Sequence, residues 1–348
     1  MGRERRSGKP VDKRYRRTQG RVLGALAVVC LAGLGVTAGA LAGERERINV
    51  VGAATVFPLA LASAEAFHVK TGHKTPLVEA NGSGAGFRLF CAGLGAEHPD
   101  IVTAERAIAA DEAAACRQRG ISPVEVKIGY QAVVLAKSQR GAALSLTPQQ
   151  IQLALAAEGA GGDNPYKLWS DIDFALPVKP IEVLGPPRTS PHRGVFMDLI
   201  MTPKAKRSAK APEAATALRD DGVFIQVATE DRQVLDRLDR NPDALGIFAF
   251  NFQQDNTERL QAVAVDGVAP SAASIADGRY GPSRALYLYV KRQHLDSIPG
   301  LRGYVAEIAG EAASGTGGYL TRRGLIPLLP AERAARAEAT AGLLPAPN

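Results

Sequence analysis

Three stretches of this chain, far apart in sequence, repeat one local pattern: an apolar, β-branched run, a turn of small and polar residues, then the start of an apolar helical period. They are residues 48–52 followed by Ala53-Ala54-Thr55, residues 76–80 followed by Asn81-Gly82-Ser83-Gly84-Ala85-Gly86, and residues 181–184 followed by Gly185 through Phe196. Strand-turn-helix units of this kind bury an apolar strand under its own helix and favour parallel pairing. The alternation continues between and beyond them. Strands are expected at 100–103, 124–128, 132–136, 245–250, 260–265 and 285–290, and helices at 56–70, 87–92, 111–119, 147–157, 195–200, 232–240 and 301–312. Trp169, Phe248 and Phe250 belong to the core. The fold class is therefore α/β, with mostly parallel sheets.

Helix starts leave backbone N–H groups unpaired and carry the positive end of the helix dipole, so they suit anions. Thr55 is expected to cap the first helix, with Pro58 in its first turn. The three turns are expected to converge on one small oxyanion.

Charge narrows the ligand class. The chain of 348 residues carries a formal net charge of +7. Residues 1–21 alone hold nine Lys/Arg against two Asp/Glu, so the remaining 327 residues net zero. A nucleic-acid-binding face needs basic excess in the folded part, and none is present. The basic stretch instead precedes an uncharged, mostly apolar run at 22–43, the order that keeps the start of a chain in the cytoplasm and sends the rest across a membrane. Ala38-Gly39-Ala40 is a small-x-small cleavage pattern, and the run is also long enough for a retained anchor. Residues 1–43 are thus a signal peptide or a signal anchor, and the body is exported either way. That body holds two cysteines, Cys91 and Cys116, which in an oxidising compartment favours a disulfide over two buried thiols.

Much chemistry is missing. The five histidines have no metal-ligand spacing, and there is no H-E-x-x-H or C-x-x-C. The glycine turn lacks the Gly-Lys-Ser/Thr of a P-loop, and Ser83 is not in a G-x-S-x-G elbow. No catalytic residue, metal or cofactor is expected.

Longer motifs carry a resemblance. They are G-A-A-T-V-F-P (52–58), G-S-G-A-G-F (82–87), L-F-C-A-G (89–93), H-P-D-I (98–101), K-I-G-Y (127–130) and N-P-Y-K-L-W-S-D-I-D (164–173). V-L-G-P-P-x-T-S (183–190), N-P-D-A-L-G-I-F-A-F (241–250), D-G-V-A-P (266–270) and G-Y-L-T-R-R-G-L-I-P-L (318–328) complete them, in collinear order. With these, residues 48–330 resemble the phosphate-binding proteins of ABC transporters, the PstS type, in the branch whose first lobe carries a disulfide. The resemblance implies a two-lobed type II periplasmic-binding-protein fold with the ligand cleft between lobes. Lobe 1 would be built from 48–130 with 285–330 and lobe 2 from 131–284, with a loosely attached helical tail at 331–348.

The resemblance also implies a site. Family members hold a nearly dehydrated phosphate through backbone N–H groups, hydroxyls, an arginine and an acidic acceptor. By position, Thr55 with the Ala54 amide matches the first anion loop, and Ser83 with the Gly84 amide the second. Glu105 or Arg106 matches the carboxylate or arginine position, and Ser190, His192 and Arg193 match the loop of the second lobe. Three stretches depart from the family pattern. Ala53-Ala54-Thr55 stands for Ser-Ser-Thr, Ala104-Glu105-Arg106 for Ala-Ser-Arg, and Ser190-Pro191-His192-Arg193 for Ser-Gly-Thr-Arg. Proline removes a backbone donor, and His192 is a candidate replacement. Read from residue type alone, Thr55 and Ser83 are also an N-cap and a turn residue, Arg193 a surface residue, and Glu105 with Arg106 a rim ion pair. The function implied is an exported, monomeric binding protein in the periplasm that captures inorganic phosphate or a similar oxyanion for an ABC-transporter permease. The alternative is a membrane-anchored paralogue acting as a sensor or interaction module.

Overall fold

The computed structural model describes residues 45–159, 162–202, 217–227 and 231–343. The expected signal or anchor segment at 1–43 lies outside them. Among the described residues no helix is long and apolar enough to cross a membrane.

Nine strands of the described residues form one sheet. They are β1 (Asn49–Gly52), β2 (Leu77–Ala80), β3 (Ile101–Ala104), β4 (Pro123–Ser138), β5 (Val183–Gly185), β6 (Phe224–Gln226), β7 (Leu245–Ala249), β8 (Leu260–Ala262) and β9 (Ser283–Lys291). Their order is β2-β1-β3-β9-β4-β7-β5-β6, with β8 on β4. β1 pairs in parallel with β2 and β3, and β5 with β6 and β7. β4 and β9 run antiparallel to their neighbours. The sheet is therefore more mixed than the expected, mostly parallel one, because these two strands enter each half of the sheet in the opposite direction.

β4 replaces two expected strands. Strands are expected at 124–128 and 132–136, yet one strand runs through Gly129 and joins them. The ladder to β9 absorbs the irregularity as a register shift between Leu286 and Tyr287, the local bend that a bulge provides. Residues 123–132 of β4 pair with β9, and 133–138 pair with β7 and β8. One strand thus serves two cores.

Alternation along the strands separates those cores. Val50, Ile101, Val126, Ile128, Leu286 and Leu288 point to one face of the first half of the sheet. There they pack under α1 (Phe57–Thr71) and α7 (Leu301–Ala309) through Phe67, Tyr304 and Val305. Val51, Val102, Ala104 and Tyr289 point to the other face, under Phe87 and Phe90 of α2 (Ser83–Phe90). The second half, with Val134, Leu184, Ile247 and Phe248, packs against α4 (Pro148–Leu155), α5 (Pro191–Phe196) and α6 (Asp231–Arg240). Trp169, Phe248 and Phe250 are buried as expected.

Cys91, just past α2, and Cys116 in α3 (Ala110–Gln118) form the expected disulfide. Both are buried beside Val51 and Val102, so the bridge ties α2 to α3 over the sheet. A sequence separation of 25 residues gives about 3 kcal/mol on the chain-entropy account. Urea unfolding with and without reductant is expected to show a loss of that size; an unmoved midpoint would contradict it.

The described part of the tail is not loosely attached. Glu332 of α8 (Pro330–Ala339) accepts from Lys127 Nζ at 2.8 Å and from the Tyr130 hydroxyl. Arg336 donates to the Ala309 carbonyl and to Ser314 Oγ. Alternating Ala, Glu and Arg reads as a solvated helix from composition, but its charged side chains have partners on β4 and α7.

Candidate functional site

The candidate site begins where β1, β2 and β3 end. These strands are adjacent and parallel, so their carboxyl ends lie along one edge, the place where open α/β sheets bind ligands. The backbone fixes that edge tightly. Ala53 N donates to Thr103 O at 3.0 Å, and Asn81 N and Gly82 N both donate to Gly52 O, at 3.0 and 2.8 Å. Gly52 adopts φ +135°, and a β-carbon there would lie 2.1 Å from Thr103 O.

Two helices start at this edge without side-chain caps. α1 has Val56 at its N-cap and α2 has Gly82, and neither side chain caps the helix. Thr55 is therefore not the cap that its residue type suggests. Its hydroxyl donates to Glu105 Oε2 at 2.7 Å, a bond to a carboxylate and stronger than a bond to a neutral acceptor. The Ser83 hydroxyl accepts from Glu105 N at 3.4 Å. Three of the expected residues, Thr55, Ser83 and Glu105, are thus brought together. Ala54 is exposed beside them, and Gly84 lies in the first turn of α2, whose leading amides have no intrahelical acceptor.

Arg106 lies beside Gly84, its Nη2 3.9 Å from where a β-carbon there would sit, but its guanidinium is engaged by Glu112. It is exposed, lies 5.4 Å from the centre of the Phe87 ring, and forms a two-pronged pair with Glu112 at 2.7 and 2.8 Å. That pairing raises its pKa. Glu105 and Arg106 do not pair with each other; the cation on Glu105 is Arg284, at 2.8 Å.

Arg284 escapes the sequence reading, as do Gln131 and Asp198. Arg284 Nε and Nη2 donate to Gln131 Oε1 at 3.3 and 3.2 Å, and Nη1 also meets Asp198 Oδ2 at 3.5 Å. Asp198 lies in the π-helical turn Met197–Met201 that extends α5. One guanidinium therefore links the edge of the first half of the sheet to the turn that extends α5. The available signal was an arginine at the entry of an apolar strand, Ser283-Arg284-Ala285, where a chain returning to the first core has to pass.

The remaining expected residues share the first turn of α5. Ser190 is the N-cap, and its side chain does not cap the helix. Pro191 has no N–H, and the amides of Arg193 and Gly194 go to Ser190 O. Few backbone donors remain, and the loop offers side chains instead. Arg193 is 8% exposed. It donates to Pro186 O at 3.3 Å and lies 4.5 Å from the centre of the Phe224 ring. Burial, and then the charge of Arg188, push its pKa down. Among the described residues no carboxylate pairs with it. His192 Nε2 lies 3.5 Å from where a β-carbon on Gly324 would sit. His192 also faces Asp231, whose carboxyl is pushed up by burial and pulled back by the histidine.

Among the described residues no cluster of His, Cys, Asp and Glu could hold a metal ion. What the arrangement offers is a set of N–H, O–H and guanidinium donors with the Glu105 carboxylate among them, which is chemistry for an anion that carries a proton.

A family model described as a PBP superfamily domain matches residues 37–312. The chain belongs to the PBP superfamily. It is 27% identical to Protein SphX of Synechococcus elongatus over 256 residues, 72% of this chain and 69% of that one. It is 25% identical to the phosphate-binding protein PstS of Staphylococcus saprophyticus over 304 residues, 85% and 86% of the two chains. A crystal structure of a possible phosphate binding protein from Planctomyces limnophilus matches with a TM-score of 0.70 at 24% identity, covering 86% of this chain and 99% of the other. The resemblance to the PstS type and the two-lobed α/β binding-protein fold are borne out.

Proposed function

We propose that this chain is an exported receptor that captures inorganic phosphate, or a similar tetrahedral oxyanion, and delivers it to the permease of an ABC transporter. The observation that carries this reading is the convergence of Thr55, Ser83 and Glu105 at two uncapped helix starts. The relatives named for phosphate binding support the same ligand.

Each residue then has a role. The Ala54 and Gly84 amides and the Thr55 and Ser83 hydroxyls bind the anion from lobe 1. Thr55 swings its O–H from Glu105 to the ligand. Glu105 accepts a hydrogen bond donated by the proton-bearing oxygen of the ligand, which a fully deprotonated anion such as sulfate cannot supply, and an acceptor left facing an acceptor is costly. Ser190, His192 and Arg193 close on the anion from lobe 2, with Arg193, which pairs with no carboxylate among the described residues, providing positive charge. Arg106, occupied by Glu112, orders the edge beside Gly84. Capture and release are binding equilibria in which the ligand stabilises the closed arrangement of the lobes. No bond is made or broken, and no cofactor takes part.

In this reading residues 1–43 are the segment that meets the membrane, and the monomeric body works on its outer side, in the periplasm. Isothermal titration of the full chain with phosphate, arsenate and sulfate tests the proposal. Phosphate and arsenate are expected to bind and sulfate to bind far more weakly. No heat with any of the three would refute it.

A further inference from the structure

The geometry points to Arg284 as the positioning residue that sets the anion selectivity of the proposed site, acting through Glu105 and not by touching the ligand; the inference rests on the phosphate reading. Glu105 stands at the edge from which an anion would be bound. An unpaired carboxylate there would repel every anion, including the one it is meant to select. Among the described residues Arg284 is the cation paired with it, at 2.8 Å, since the neighbouring Arg106 is taken by Glu112.

The way Arg284 is held fits this task. Its side chain is 10% exposed, and it lies opposite Gln131 in the ladder between β9 and β4. The neutral Gln131 amide oxygen receives both Nε and Nη2, which fixes the plane of the guanidinium without using its charge. Nη1 then points at two carboxylates, Glu105 from the end of β3 and Asp198 from the turn after α5. Glu105 Oε2 is held from one side by this cation and from the other by the Thr55 hydroxyl. When Thr55 turns to a ligand, Arg284 is what keeps the carboxylate oriented and its charge balanced. The site then keeps an acceptor for a protonated oxygen with a cation directly against it.

Titration of phosphate and sulfate into the full chain, with a melting curve for every variant, tests this as a double-mutant cycle. R284Q is expected to weaken phosphate binding by about tenfold or more and to narrow the preference over sulfate. R284K keeps the charge beside Glu105 and is expected to stay within about threefold of wild type. In an E105Q background, where sulfate is no longer rejected, adding R284Q is expected to change phosphate affinity less than about twofold. Should R284Q not fold, Q131L, which frees the other side of the guanidinium, replaces it and is expected to narrow the same preference. Wild-type phosphate affinity and selectivity in R284Q or Q131L would overturn the inference. So would an R284K as impaired as R284Q, or an equal cost of R284Q with and without Glu105, which would make Arg284 a direct ligand. A wild-type chain that binds no phosphate would refute the phosphate reading itself and is distinct from all of these.

Discussion

Replacing Arg193 by methionine is expected to weaken phosphate binding by about a hundredfold or more while leaving the ligand-free protein at least as stable as before. The two effects have opposite causes. Arg193 is 8% exposed, has one backbone acceptor at 3.3 Å, rests on the face of Phe224, and pairs with no carboxylate among the described residues. Burying a charge without a counter-charge costs folding free energy, and methionine would keep the packing on Phe224 without that cost. A bound oxyanion supplies the missing partner. Hydrogen bonds to charged groups contribute about 1.5–3 kcal/mol each, so losing a two-pronged contact lowers affinity by two orders of magnitude or more. Titration with phosphate and a ligand-free melting curve together decide it. A lower melting temperature with intact affinity would make Arg193 a structural residue.

Gly52→Ala is expected to cost on the order of 3 kcal/mol or more in stability, from backbone strain and overpacking together, and to abolish phosphate binding. At φ +135° the new methyl group would lie 2.1 Å from Thr103 O and 2.7 Å from Thr103 Oγ1, both on the neighbouring strand. β1 and β3 would have to part. The Gly52 carbonyl also accepts from Asn81 and Gly82, so the shift reaches the α2 start and the Thr55 turn at once. Gly72→Ala is the control: it too has positive φ, +74°, but nothing lies within 4 Å of a β-carbon there. Its cost is expected to be about 1–2 kcal/mol, with binding unchanged. Urea unfolding and titration of the two variants check the contrast; equal effects would show that packing against Thr103 is not what matters at Gly52.

How much of this was legible in the sequence depends on the range of the interaction. The strand-turn-helix units were legible because apolar periodicity and Gly punctuation are local, and β1, β2 and β5 lie where those signals put them. The charged helix at α6 was equally clear, with Val234, Leu235 and Leu238 buried as its spacing requires. The unity of β4 was not legible. Gly129 is a local break signal, and only pairing with β9, some 150 residues later, keeps the strand whole. The tail is illegible for the same reason, since Glu332 finds its partners Tyr130 and Lys127 at separations of 202 and 205 residues.

In the candidate site, Thr55, Ser83 and Glu105 were identified as single residues, but their mutual bonds were not. Thr55 was read as a cap because threonine before a helix usually is one; a carboxylate fifty residues on outcompetes that role. Arg284 carried no motif at all. It acquires meaning only when β9 and β4 lie side by side and put it opposite Gln131.

The most direct test of the central claim is a crystal structure of the protein grown with phosphate. A tetrahedral anion is expected between the first turns of α1, α2 and α5, within hydrogen-bonding distance of the Thr55 and Ser83 hydroxyls and the Arg193 guanidinium, with Glu105 facing one of its oxygens. Phosphate bound elsewhere, or an empty site between Thr55, Ser83 and Arg193 at saturating phosphate, would contradict the account.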